Sequence, residues 1–333
     1  MAIVQSMADT RQAILLLHNG NGTTFEFTQL QAAVNAAENG DTLLLSEGSF
    51  TLSANLSIQK GVSIIGVGQK TIIRGDIEIA IPDVIINSEL GKEQKETPVV
   101  TATMFDAIQI RGKVFFWNRL SGFKMRKCWV SDGFAPLSAI YDATIDRCFI
   151  KTFYHTYLLK RITIQNSSIN IIRPYGTYSA DTRDSEINYI NCNIGDINYQ
   201  MESNAKASFI NCIIKDASYN YYNVRYHTFF NTLYTEKVKN RILTSQEAGN
   251  VVEHCYVADF NSTEGDDGFL TFSFKKEDLE AGGYLGTDGT VVGIEGGQTS
   301  FTLVPSSVAV TESQLKVDPE KKQLNVTLKV QAN

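Results

Sequence analysis

Asn211-Cys212-Ile213-Ile214-Lys215-Asp216 decides the fold because it recurs. Asn191-Cys192-Asn193-Ile194-Gly195-Asp196 stands twenty residues before it, and Asn231-Thr232-Leu233-Tyr234-Thr235-Glu236 twenty after. Further out the unit reads Asn166-Ser167-Ser168-Ile169, Arg147-Cys148-Phe149-Ile150 and Lys127-Cys128-Trp129-Val130 upstream, and His254-Cys255-Tyr256-Val257 downstream. Steps between Cys-equivalent positions are 20, 19, 25, 20, 20 and 23 residues. Self-similarity at such a period marks a solenoid of stacked units.

The unit says which solenoid. Counted from the Cys, position +2 reads Val130, Ile150, Ile169, Ile194, Ile214, Tyr234 and Val257, and position −3 reads Met125, Ile145, Ile164, Tyr189, Phe209, Phe229 and Val252. Apolar residues at 0 and +2 give a strand period of two. The alternation breaks at −1, where Asn, Lys, Arg or His stands. Asn tolerates the left-handed backbone conformation, so the reading is strand, one-residue corner, strand. About 20 residues cannot hold a strand, a helix and two loops, but they hold three short strands at about 3.3 Å per residue. The expected fold is all-β: a right-handed parallel β-helix of about ten coils, stacked about 4.8 Å apart so that equivalent residues form columns.

Composition agrees. In 333 residues, 43% hydrophobic content is ample for a core. A net charge of −6, with no basic run, argues against a nucleic-acid partner. No apolar run reaches the ~20 residues of a membrane span. The run Ile14–Leu17 is too short for a signal h-region, and a leader removed earlier would leave no trace. All five cysteines fall in the repeat's core column. Side chains stacked in register suit disulfide geometry poorly, and an odd count resists full pairing, so the column reads as buried thiols.

Three divisions follow: a lead-in and capping helix (1–40), the β-helix (41–259) and a C-terminal β-rich cap (260–333). The helix is expected over Phe27 to Asn39, capped by Thr28, striped by Leu30, Ala33, Val34 and Ala37, and ended by Gly40. A polar excursion is expected at Ser88 to Thr97. In the tail, Gln314–Val317 and Leu324–Val330 flank the turn Asp318-Pro319-Glu320-Lys321-Lys322 and can pair as an antiparallel hairpin. The glycines of Leu285 to Gly297 fit neither nucleotide-loop spacing and read as tight turns.

The helix leading through Gly40-Asp41 into Thr42-Leu43-Leu44-Leu45, followed by Glu47-Gly48-Ser49-Phe50, resembles the opening of pectate-lyase-like right-handed β-helix proteins. The glycine-rich stretch from Leu285 to Gly297 resembles the ends of secreted bacterial β-helix proteins of unassigned function. The resemblance implies the fold and an extracellular or cell-surface location. It does not fix an activity. The Trp-Ile-Asp-His and Arg-x-Pro-x-x-Arg elements of pectate lyases are missing, Ile172-Arg173-Pro174-Tyr175 being only a fragment. The polygalacturonase motifs are also missing.

Two constellations remain. Position +4 carries Asp196, Asp216 and Glu236 on successive coils. Stacked carboxylates repel unless neutralised, and calcium is the hard, oxygen-seeking ion suited to them. Calcium-dependent lyases of the resembling family bind their ion in this manner. The alternative is that each acid caps the turn after its strand. The second constellation is aromatic: Tyr154 and Tyr157, then Tyr175, then Tyr219, Tyr221 and Tyr222 with Arg225. Tyrosines on one face of a solenoid suit stacking on the sugar rings of a polysaccharide; plain packing is the alternative. The functional expectation is a surface module that binds a polysaccharide without cleaving it. The alternatives are a lyase or glycosidase with degenerate motifs, and a structural or adhesive spike.

Overall fold

The computed structural model describes residues 13–18, 20–81, 103–155, 158–173, 185–198, 206–218, 227–243, 249–266, 268–299 and 301, with the backbone strands of 308–318 and 323–332. It is a right-handed parallel β-helix of about 8 turns, against the ten expected. Segments Lys124–Arg126, Thr144–Asp146, Ile162–Gln165, Glu186–Ile190, Lys206–Ile210, Thr228–Phe230 and Val251–Glu253 pair in parallel, each with the next. The strands after the corner form a second wall, from Trp129–Val130 through Phe149–Tyr154, Ser168–Arg173, Asn193–Ile197, Ile213–Asp216 and Leu233–Tyr234 to Tyr256–Val257. A short third wall joins Leu120–Ser121, Ile140–Tyr141 and Leu159–Lys160.

The corner is the expected one. Lys127, Arg147, Asn166, Asn191, Asn211, Asn231 and His254 all have φ between 45° and 55°, as does Ala107 one coil earlier. A single left-handed residue turns the chain between walls. Its N–H stays in the ladder: Asn211 donates to Phe230 O at 2.9 Å, and Asn191 to Ile210 O at 3.0 Å. One residue later, a thiol or hydroxyl donates back across the bend. Cys212 Sγ reaches Ile210 O at 3.3 Å and Thr232 Oγ1 reaches Phe230 O at 3.1 Å. All five cysteines are free, four of them buried.

Register makes columns inside. Tyr189, Phe209 and Phe229 are fully buried, with ring centroids 4.9 and 5.1 Å apart and planes within 10°. That spacing is the strand spacing, so stacking follows from the ladder.

Both ends depart from expectation in detail. The N-terminal helix α1 is shorter (Leu30–Ala36), and Thr28 makes no cap. Thr24–Phe27 is instead a strand on Ile14–Leu17, whose other edge pairs with Thr42–Leu45. The apolar stripe is as read: Leu30, Ala33, Val34 and Ala37 are buried. Two further helices, α2 (Glu236–Leu243) and α3 (Lys276–Ala281), were not anticipated. The excursion from Ser88 to Thr97 lies outside the described residues.

The C-terminal cap packs along the flank. Tyr284 lies edge-on to Tyr256, Thr287 bonds Asn211, Ile294 bonds Asn193, and Thr299 reaches Asn166, so residues 284–299 run back against the direction of coil growth. An earlier pass sets Phe269 against Trp129 and Phe149. A second core of Ile213, Leu233, Phe260, Phe272, Leu279, Val291 and Val292 forms between cap and coils. The tail hairpin exists with longer strands, Val308–Asp318 and Gln323–Ala332.

Candidate functional site

The second wall's end carries the aromatic residues. Lys113–Phe116 pairs with Gly133–Pro136, which pairs with Phe149–Tyr154. Strand alternation sends Val114 and Phe116 into the core and leaves Phe115 half-buried. Trp117, just past the strand, is 52% exposed. The Phe115 and Trp117 rings lie 6.3 Å apart at 30°, a tilted two-ring platform.

Tyr154 stands two coils on. It is only 6% exposed. Its ring covers Gly133, where an added Cβ would come within 2.6 Å of the Tyr154 ring. Arg173, its register partner, sits over that ring at 5.2 Å and donates to the Tyr154 hydroxyl at 3.0 Å. Tyr154 therefore seats an arginine instead of offering an open ring face. Tyr157, Tyr175, Tyr219, Tyr221, Tyr222 and Arg225 lie outside the described residues. The strands that lead into their segments end in register, Tyr154 with Arg173, Ile172 with Ile197 and Asp196 with Asp216. Trp117 follows the end of the strand Lys113–Phe116, which lies two coils before Tyr154 in the same wall. Trp117 was not singled out from sequence, although Val114-Phe115-Phe116-Trp117 carries the period-two signal.

The acidic column divides. Asp196 and Asp216 are register neighbours. Asp196 accepts from Ser218 N at 2.9 Å and from the Ser218 hydroxyl. Burial raises its pKa above the ordinary carboxylate value, and the Asp216 charge adds to this while Ser218 opposes it. Asp216 accepts from Ala217 N at 2.6 Å and from Lys237 Nζ at 2.7 Å. Glu236 does not continue the column. It opens α2, whose Val238 and Ile242 are buried, and it pairs with Lys239 at 3.0 Å. Lys215 bonds Phe260 O in the cap, away from the acids. Among the described residues no group of three His, Cys, Asp or Glu is gathered for a metal. Asp196 and Asp216 are thus in register with each other, and each already has protein partners.

Arginines on the flank are committed. Arg126 holds Asp106, Arg147 holds Asp146, and Arg161 grips Asp142 through two bonds at 2.6 and 2.8 Å. Arg161 pulls the Asp142 pKa below its ordinary value. Paired in this way, the three arginines do not make a phosphate-tracking groove. No described helix is long and apolar enough to cross a membrane.

Fold and flank together define a parallel β-helix protein. No protein-family model, curated protein or solved structure matches the chain.

Proposed function

We propose that the protein is an extracellular or cell-surface module that binds a polysaccharide along the corner where the second wall ends, without cleaving it. The observation that carries this reading is the Phe115–Trp117 platform, whose Trp117 ring is exposed. Aromatic faces stack on the apolar faces of sugar rings, and a solenoid repeats its surface every coil, as a polymer repeats its residues. Arg173, held by Tyr154, offers a cation for an acidic sugar.

Affinity electrophoresis against neutral and uronate polysaccharides, with wild type and Trp117→Ala, tests it. Trp117→Ala is expected to weaken retention about tenfold, the loss of one stacked ring at ~1–1.5 kcal/mol, with melting unchanged. Absence of retention on every polymer removes the proposal. A steady rise of unsaturated product from uronate polymers with calcium replaces it with a lyase.

A further inference from the structure

The row that holds Phe115 continues in both directions. Ile77–Ile79 pairs with Lys113–Phe116 and sets Glu78 beside Phe115. On the other side Phe115 stands beside Ala135. Phe134 pairs with Phe153, which places Ala135 beside Tyr154, and Tyr154 pairs with Arg173. Strand alternation turns this row outward, because Ile77, Ile79, Val114, Phe116, Phe134 and Phe153 beside it are buried in the core. Along the solenoid axis the row therefore reads Glu78, Phe115, Ala135, Tyr154, Arg173, with a carboxylate at one end and a guanidinium at the other. Steps of about 4.8 Å put Glu78 one step from Phe115, and Arg173 three steps, about 14 Å, on the other side. Trp117 extends the same face past Phe115, its N–H donating to Ile79 O at 3.1 Å.

Glu78 is half-buried, and Asn55 Nδ2 donates to its Oε1 at 2.6 Å. That amide orients the carboxylate without neutralising it. Among the described residues no lysine or arginine pairs with Glu78. Lys113, two residues before Phe115 on the same face, reaches Asp132 at 3.9 Å instead. Arg173 lies beyond a Debye length of about 8 Å at physiological salt and does not offset the charge. The platform therefore has an uncompensated carboxylate at its rim. A ring face takes the apolar face of a sugar and leaves the sugar's hydroxyls at the edge. A carboxylate only accepts hydrogen bonds, and it accepts them more strongly than a neutral oxygen does. Sugar hydroxyls can donate to it. A uronate carboxylate cannot, and like charges repel. The two ends of the row thus differ: Arg173 suits an acidic sugar, the platform a neutral one.

We propose that Glu78 selects the sugar seated on the Phe115–Trp117 platform, accepting hydroxyls of a neutral sugar and turning uronates away. This rests on the reading of the platform as a polysaccharide site.

Affinity electrophoresis of the full chain in gels of neutral glucans and of polyuronates tests it. The variants are Glu78→Gln and, as an exposed acid in the cap, Glu264→Gln. Wild type is expected to be retained about tenfold more strongly by a neutral polymer than by the polyuronates. Glu78→Gln is expected to bind that neutral polymer about fivefold more weakly. It should also narrow the preference to about twofold, because the repulsion is gone. Glu264→Gln is expected to behave as wild type. A wild type that prefers polyuronates overturns the proposal. So does a Glu78→Gln ratio equal to that of wild type, or one that Glu264→Gln reproduces. Those results leave the platform as a polysaccharide site. Retention of wild type by no polymer removes that reading, and the role of Glu78 with it.

Discussion

The coils and the C-terminal cap are held in different ways. Between coils, one hydrogen-bond pattern repeats at every turn and one inward column fills the interior. Between cap and coils, each contact occurs once. Asn211 accepts from Thr287 N at 3.0 Å and donates to Thr287 Oγ1 at 3.2 Å, Asn170 donates to Gly268 O at 2.6 Å, and Gly293 N donates to Asn211 O at 2.7 Å. A repeated interface is redundant, while a set of single hooks can be lost one at a time. The corner column shows both arrangements. Corners that touch the cap carry Asn166, Asn191 and Asn211. Lys127 and Arg147, in the same left-handed conformation, turn the chain equally well. Conformation alone therefore does not select Asn: Asn211 and Asn166 also bond the cap, while Asn191 bonds Asn166 along the column and Asn231 shares the same conformation.

Breaking the coils should cost most. Phe209→Ala removes the middle ring of a three-ring stack and is expected to destabilise by about 3–5 kcal/mol, read by urea denaturation. The interior is also sensitive to acid. Burial, helped by the His227 charge, lowers the His155 pKa from 6.5 to about 3. The fold keeps this imidazole neutral, so the unfolded chain binds more protons between those values. Stability is expected to be full above pH 6.5 and to fall as pH drops towards about 3. His155→Asn should flatten that limb of the melting profile; an unchanged slope assigns the acid sensitivity elsewhere.

Breaking the cap should cost less and remain local. A side chain at Gly293, where φ is +80°, would meet Asn193 Oδ1 at 2.5 Å and Ile213 Cδ1 at 2.7 Å. Gly293→Val is expected to cost about 2–3 kcal/mol, confined to the cap. Hydrogen exchange should rise across residues 260–299 while the coils keep their protection. A uniform rise along the chain would mean that cap and coils unfold as one unit. Smaller again is Asn211→Gly, which keeps the corner conformation and loses only the two side-chain bonds, about 1–2 kcal/mol. His254→Gly, at a corner of the same conformation with an exposed side chain, is expected within about 1 kcal/mol of wild type. Equal losses at the two corners would contradict the distinction between turning and hooking.

The same difference decides what the sequence reveals. Columns repeat, so −3, −1, 0 and +2 could each be read several times over, and the left-handed corner, the thiol column and the ring stack were all legible. The cap contacts are non-periodic partners far apart in sequence, such as Asn170 with Gly268, and no local pattern predicts them. One trace was present. Position +1 points outward, yet Trp129, Phe149, Ile213 and Leu233 are apolar there and buried. Glu236 was misread because the twenty-residue count continued into a segment where Val238 and Ile242 had already switched to helical spacing. Trp117 was missed because it precedes the counted repeat.

The smallest expected effect concerns the acidic pair. Calcium would have to recruit oxygens now engaged with Ser218, Ala217 and Lys237, and Glu236 is drawn away by α2. Excess EDTA is therefore expected to leave the melting temperature unchanged. Asp196→Asn, which removes a carboxylate whose charge is disfavoured by burial, should leave stability near neutral pH equal or slightly raised. Linkage supplies the sign. A carboxyl whose folded pKa lies above its ordinary 3.8 gains stability on protonation, so the Asn variant should lose the rise that wild type shows as pH falls through that range. An EDTA-induced drop in melting temperature that Asp196→Asn abolishes would reverse both expectations, because a bound cation would make the ionised pair stabilising and tie this corner of the coils to metal.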